Sequence, residues 1–157
     1  MAHPMDTNLC NTVKGVIFKD DSVLLIKKEY EDGSFVYTLP GGGQIPGETL
    51  EEALIREIYE ETAASVTMVD LIKVYEYQKV SSKNPFLIRH NVEFAFYCRI
   101  VGAYTPVLGA EPDPHQTEVL WMHKKALPEL NLSPQALQDV LVQELVADSS
   151  NYLGKVL

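Results

Sequence analysis

Leu39-Pro-Gly-Gly-Gly-Gln-Ile-Pro-Gly-Glu-Thr-Leu-Glu-Glu-Ala-Leu-Ile-Arg-Glu-Ile-Tyr-Glu-Glu-Thr62 is the stretch on which the reading of this chain turns. Thr49 followed by Glu52 forms a capping box, so the spacing predicts a helix from Leu50 to Thr62. At about 100° per residue from Leu50, Ala53, Leu54 and Ile58 fall near 300°, 40° and 80° and make an apolar stripe. Glu57 and Glu61 fall at about 340° and 20°, inside that stripe, and Glu60 lies on its edge near 280°. A surface helix should carry no carboxylate there. The same glutamates crowd the last turns, where the helix dipole is negative and each anion costs about 0.3–1 kcal/mol. Glu57 and Glu61 are also like charges four residues apart. Local inconsistency of this kind is expected at functional sites. A divalent cation would remove all three costs. Carboxylates at i, i+3 and i+4 can converge on one point, and hard oxygen ligands suit Mg²⁺ or Mn²⁺. The competing reading is a solvated face held by Arg56 and lysines.

The glycines come directly before this helix and after a strand-like run, so the backbone there can turn sharply and approach a ligand closely. Gly42 to Thr49 mimics a phosphate-binding P-loop, but Glu48 stands where that motif needs lysine and would repel a phosphate. That reading is rejected.

Outward from the helix the chain is rich in short β-like runs. Residues 13–18 and 23–28 read as strands joined by a Lys19-Asp20-Asp21-Ser22 turn. Residues 35–39, 66–77, 92–101 and 119–122 read as further strands, with Val92, Phe94, Phe96 and Cys98 on one face. Residues 81–85 and 109–116 read as loops. Ser133 can cap, and Pro134 can open, a last helix carrying Leu137, Val140, Leu141 and Leu145. This order predicts an α+β domain with helices packed on a mixed sheet.

The 157 residues suit a single domain over 1–157, and a chain of that size buries a core without disulfides. No apolar run reaches the 18 or so residues of a membrane span, and the first residues do not resemble a signal peptide. The net charge of −9 argues against an extended nucleic-acid footprint. A small anionic substrate then needs bridging cations. Cys10 and Cys98 form no disulfide framework or metal-ligand spacing, so a reducing cytoplasm is the expected location.

Gly42, Glu48 and Arg56-Glu57-Ile58-Tyr59-Glu60-Glu61, at their spacing, resemble the Nudix box of the Nudix hydrolases, of MutT type. The resemblance covers residues 42–64. Leu39-Pro40-Gly41-Gly42 is similar to the usual entry to the box, and Glu118 followed by Trp121 is similar to a late acidic loop and strand. One position departs: Ala63-Ala64 replaces the usual glycine and aliphatic residue. Glycine suits a left-handed helix end, where alanine costs about 1 kcal/mol. The resemblance implies an α/β/α sandwich around a mixed sheet. It also implies a pyrophosphohydrolase that cleaves the diphosphate of a nucleoside diphosphate linked to another group, such as a nucleotide sugar, ADP-ribose or a (d)NTP. By the same analogy Glu57, Glu60, Glu61 and the Gly41 carbonyl would hold Mg²⁺, with Mn²⁺ as the alternative. Glu57 or Glu118 would take the proton from water, and Arg56 would orient the carboxylates. Glu48 would support the junction of loop and helix. A homodimer is compatible with the family. The alternative is a non-catalytic Nudix-like module that binds a nucleotide metabolite.

Outside the box the candidates rest on residue chemistry. Arg89 suits phosphate oxygens through its planar fork. Phe35 and Tyr37 alternate on the strand entering the glycines, where one could stack on a base. His90 reads as a satisfied, half-buried histidine, and Cys98 as an inert core thiol.

Overall fold

The computed structural model describes residues 6–81, 83–135, 137, 138, 141 and 152–156, with Asp6 and Leu153 described by backbone alone. Strands β1 (Asp6–Lys19), β2 (Ser22–Glu29), β3 (Phe35–Thr38) and β4 (Gly41–Gly43) lead into α1 (Leu50–Thr62). After it come β5 (Val66–Val80), β6 (Leu87–Ile100), β7 (Gln116–His123), a 3₁₀ turn (Lys124–Glu129) and β8 (Tyr152–Lys155).

The strands form a mixed sheet in the order β3-β2-β1-β6-β5-β8, with β4 paired to β1 and β7 to β2. β1 runs parallel to β6, β8 runs parallel to β5, and the other pairs are antiparallel. The turn between β1 and β2 is short, with Lys19 opposite Ser22 and Asp20 left-handed at φ 53°.

Alternation buries both faces of the sheet. Val13 and Ile17 of β1, Leu24 and Ile26 of β2 and Phe96 and Cys98 of β6 pack with Ala53, Leu54 and Ile58 of α1. The intervening Val16, Val23 and Leu25 pack on the opposite face with Leu39, Tyr75, Leu127, Leu137 and Leu141. Gly15 belongs to the α1 face, where a side chain would meet Ile58 at 2.5 Å. The expected three layers are therefore present. The expected last helix is described only at Leu137, Gln138 and Leu141, which are helical; Val140 and Leu145 lie outside the described residues.

The strands are longer than their hydrophobic patterns suggest, because β1, β5 and β6 continue past the core as polar ladders. The three glycines, expected to turn freely, form β4 against residues 12–14 of β1.

Candidate active site

Helix α1 begins as its capping box requires, with the Glu52 amide donating to Thr49 Oγ1 at 3.1 Å. Arg56 organises the helix surface. Its Nε and Nη2 donate to the two carboxylate oxygens of Glu48 at 3.1 and 2.7 Å, a two-pronged pairing that suits the guanidinium fork. Nη1 donates to Glu57 Oε1 at 2.9 Å and reaches Glu60 Oε2 at 3.3 Å, while Nη2 also donates to the Gly43 carbonyl at 2.9 Å. Glu48 in turn accepts the Ile45 amide at 2.8 Å. One cation thus ties the glycine strand, the loop and the helix together. Its bond to Glu48 holds that carboxyl below the usual range.

Glu61 is only 4% exposed and accepts the Gly41 amide at 2.7 Å. Burial pushes its carboxyl up to about 7, against the pull of Lys14 and of that amide. Burial also raises Glu57, against the pull of Arg56. Burial therefore disfavours the charged form of both carboxylates on the apolar stripe, although Glu57 is paired with Arg56. The three glutamates nevertheless do not meet at one point as helical spacing led us to expect. Among the described residues no group of three His, Cys, Asp or Glu side chains is close enough to enclose an ion. Arg56 draws Glu57 and Glu60 to itself, and the Gly41 amide draws Glu61 away.

The helix end is better satisfied than the bare sequence suggests. Gly109 and Gln116 both donate to the Glu61 carbonyl, at 2.9 and 2.8 Å, and the Glu111 amide donates to that of Glu60 at 3.0 Å. Tyr104 donates to the Thr62 carbonyl at 2.8 Å. These donors offset part of the dipole penalty. A side chain at Gly109 would strike the Glu60 carbonyl oxygen at 2.1 Å, so glycine allows the loop this close.

Glu57 faces a cleft of about 280 Å³ lined also by Gly41, Gly42, Gly43, Thr12, Lys14, Lys28, Tyr77, Lys79, Arg89, Asn91, Glu93 and Asp113. A second compartment of about 370 Å³ shares Lys14, Lys28, Tyr77 and Lys79 and extends to Val36, Thr38 and residues 131–135. A side chain at Gly42 would come within 2.5 Å of the Glu57 carboxyl group, so glycine keeps that carboxylate open to the cleft.

The other expected site residues divide. Arg89 lines the cleft. Glu118 does not: it is exposed on β7 opposite Lys27. The acid that the preceding loop does bring in is Asp113, bonded to Lys28 at 2.6 Å. Phe35 and Tyr37 stack edge-on at 5.8 Å, and it is the alternate residues Val36 and Thr38 of β3 that line the second compartment. His90 is paired with Glu76 at 2.9 Å and lies outside both compartments. Burial pushes the Cys98 thiol up to about 12, as an inert core thiol requires.

Composition concealed a cluster of cations in an acidic chain. Lys14, Lys28, Lys79 and Arg89 all reach the cleft, so its charge does not follow the net charge. The sequence carried a signal for this in two strands where polar residues alternate: Tyr75, Tyr77, Lys79 on β5 and Arg89, Asn91, Glu93 on β6.

A family model for the NUDIX domain matches residues 9–141. The chain belongs to the Nudix family. This Nudix chain is 37% identical over 90 residues to an ADP-ribose pyrophosphatase of Methanocaldococcus jannaschii, covering 57% of the chain and 50% of that protein. It is 30% identical over 135 residues to the human 8-oxo-dGDP phosphatase NUDT18, covering 85% of the chain and 37% of that protein. It thus spans half or less of the length of these two relatives. Its fold is that of a NUDIX hydrolase from Nitrosomonas europaea, with a TM-score of 0.70 at 21% identity over 93% of this chain and 94% of that one. Nudix hydrolases generally use divalent cations. The donors here fit one in kind, since the acidic cluster is all oxygen and Gly42 leaves Glu57 open, but Arg56 and the Gly41 amide hold the three carboxylates apart in this structure. No helix among the described residues is long and apolar enough to cross a membrane.

Proposed function

We propose that this Nudix domain is a metal-dependent pyrophosphohydrolase that cleaves the diphosphate of a small nucleoside diphosphate derivative. The observation that carries the proposal is Arg56, which pins Glu48, Glu57 and Glu60 beside the buried Glu61 at the mouth of a cleft lined with cations. The activities named for the relatives, on ADP-ribose and on 8-oxo-dGDP, support the substrate class.

Glu57, Glu60, Glu61 and the Gly41 carbonyl would hold Mg²⁺ or Mn²⁺, which when bound supplies positive charge and lowers the pKa of water. Glu57 faces the cleft and takes the proton from the attacking water; Glu118 is exposed on β7 opposite Lys27 and does not line that cleft, which favours Glu57 for the role. The water oxygen bonds to phosphorus as the bridging P–O bond breaks, and the leaving phosphate takes the bonding pair. Lys14, Lys28, Lys79 and Arg89 hold the phosphate oxygens, and Arg56 keeps Glu57 from swinging away. Two free thiols, Cys10 and Cys98, fit a cytoplasmic setting.

The test is turnover of a panel of nucleotide sugars, dinucleoside polyphosphates and nucleoside triphosphates with Mg²⁺. We expect turnover that chelator abolishes. Tight binding of a nucleotide metabolite with no turnover of any substrate would instead favour the non-catalytic module.

A further inference from the structure

Three rungs cross the sheet face opposite α1. Tyr75 of β5 and Thr12 of β1 flank Glu93 of β6, Tyr77 is opposite Asn91, and Lys79 is opposite Arg89. The first rung is closed. Glu93 is fully buried and accepts the Thr12 hydroxyl at 3.1 Å, the Tyr75 hydroxyl, and the Tyr77 hydroxyl at 3.4 Å. The next rung is not closed. Asn91 is 2% exposed and lines the cleft, yet its Nδ2 has no hydrogen-bond partner. Among the described residues only one other buried side-chain polar atom shares that condition, Trp121 Nε1, which lies away from the cleft. An unmet buried donor costs about 1–3 kcal/mol, so it should have a ligand.

The flanking charges say what kind. Lys28 is paired with Asp113, but among the described residues Lys14, Lys79 and Arg89 join no ion pair. Lys79 is exposed on β5 but lines the cleft, and its ammonium is lowered first by desolvation and then by Lys28, Arg89 and Lys14, against the pull of Glu93. Lys14 donates to the Leu39 carbonyl at 3.3 Å, but three cations outside any ion pair around an orphaned N–H suit an oxyanion.

We propose that Asn91, Lys79 and Arg89 form a phosphoryl subsite that takes a terminal phosphate of the substrate, so that nucleoside tri- and diphosphates are preferred over nucleotide sugars. This deepens the pyrophosphohydrolase reading and rests on it for the choice of substrate, whereas the subsite itself is tested without catalysis. A terminal phosphate brings more charge than a bridging one and has three oxygens free for these donors. With a neutral sugar in that place the cations would still meet the bridging diphosphate, but the Asn91 donor would lack the third oxygen that a terminal phosphate offers.

The first experiment titrates the protein with inorganic pyrophosphate in chelator. The side-chain amide signal of Asn91 should shift, and the Lys79 ammonium should titrate at higher pH with the anion bound. Asn91→Leu or Lys79→Gln should weaken pyrophosphate binding about tenfold. No binding in chelator, or unchanged affinity in both variants, overturns the subsite even if the enzyme turns over substrate. The second experiment compares kcat/KM with Mg²⁺ for a nucleoside triphosphate and a nucleotide sugar of the same base. Asn91→Leu should lower the first about tenfold and leave the second nearly unchanged. An equal fall in both assigns Asn91 to a bridging phosphate and overturns the preference for a terminal one. If the wild type turns over neither compound while pyrophosphate still binds through Asn91, the hydrolase reading fails and the subsite stands.

Discussion

Gly41 and Gly42 are neighbours in one three-residue strand, yet a methyl group should act on them in different ways. At Gly41 it would lie 1.9 Å from the Val13 carbonyl oxygen, on a backbone at φ +149°. Neither can give way without breaking the pairing of β4 with β1, so Gly41→Ala should unfold the chain or sharply lower its melting temperature. At Gly42 the obstacle is the Glu57 carboxyl group, the far end of a flexible side chain. Gly42→Ala should therefore keep the fold by circular dichroism and lose turnover at least tenfold, because the carboxylate is pushed from its place. Equal loss of fold in both variants would show that the carboxylate is as fixed as the backbone. Glu57→Gln and Glu61→Gln should each lower kcat at least about 10²-fold. In metal-free buffer their unfolding midpoints should stay or rise, since each removes a charge that burial disfavours. A sharp fall in either midpoint would give the acidic cluster a structural role.

At the scale of the element, α1 was legible to the residue because its start and its stripe are local chemistry. The cap lies within three residues of the first turn, and the stripe of Ala53, Leu54 and Ile58 points where the helical period places it. The glutamates inside the stripe also marked a candidate site, but not its geometry. Whether three carboxylates meet depends on Arg56 and the Gly41 amide, and the amide comes from a strand that pairs with residues far away in the chain. Glu118 was misplaced for a related reason: a strand-edge residue can be located only once its pairing with β2 is known, whereas Asp113 is carried in by a loop. The helix end allows a separate test. Ala63 is left-handed at φ 59°, and its amide bonds the Tyr59 carbonyl at 2.9 Å. Relief of a strain of about 1–2 kcal/mol, less the chain entropy that glycine adds, should make Ala63→Gly more stable by about 0.5–1 kcal/mol in urea denaturation. Unchanged or lower stability would mean that the loop donors at 109–116 already absorb the strain.

For the whole molecule two fields of opposite sign act on an anionic substrate. The chain carries −9 overall, while Lys14, Lys28, Lys79 and Arg89 face the cleft. Composition shows only the first field, because the second depends on β1, β2, β5 and β6 bringing distant residues to one place. The two fields differ in range. The Debye length falls from about 30 Å at 0.01 M salt to about 10 Å at 0.1 M, which is below the roughly 15 Å radius of gyration of a domain this size. Added salt therefore removes the repulsion of the distant acidic surface first and weakens the cations lining the cleft, which lie within a few ångströms of a bound anion, later. At fixed free Mg²⁺, KM for an anionic nucleotide should fall as NaCl rises from about 0.01 to 0.1 M, then climb as salt screens the cleft. Lys79→Gln should raise KM and flatten the climb while keeping the initial fall, since the outer surface is unchanged. A KM that rises from the lowest salt would show that the cleft cations dominate at every distance, and the acidic exterior would then have no part in substrate capture.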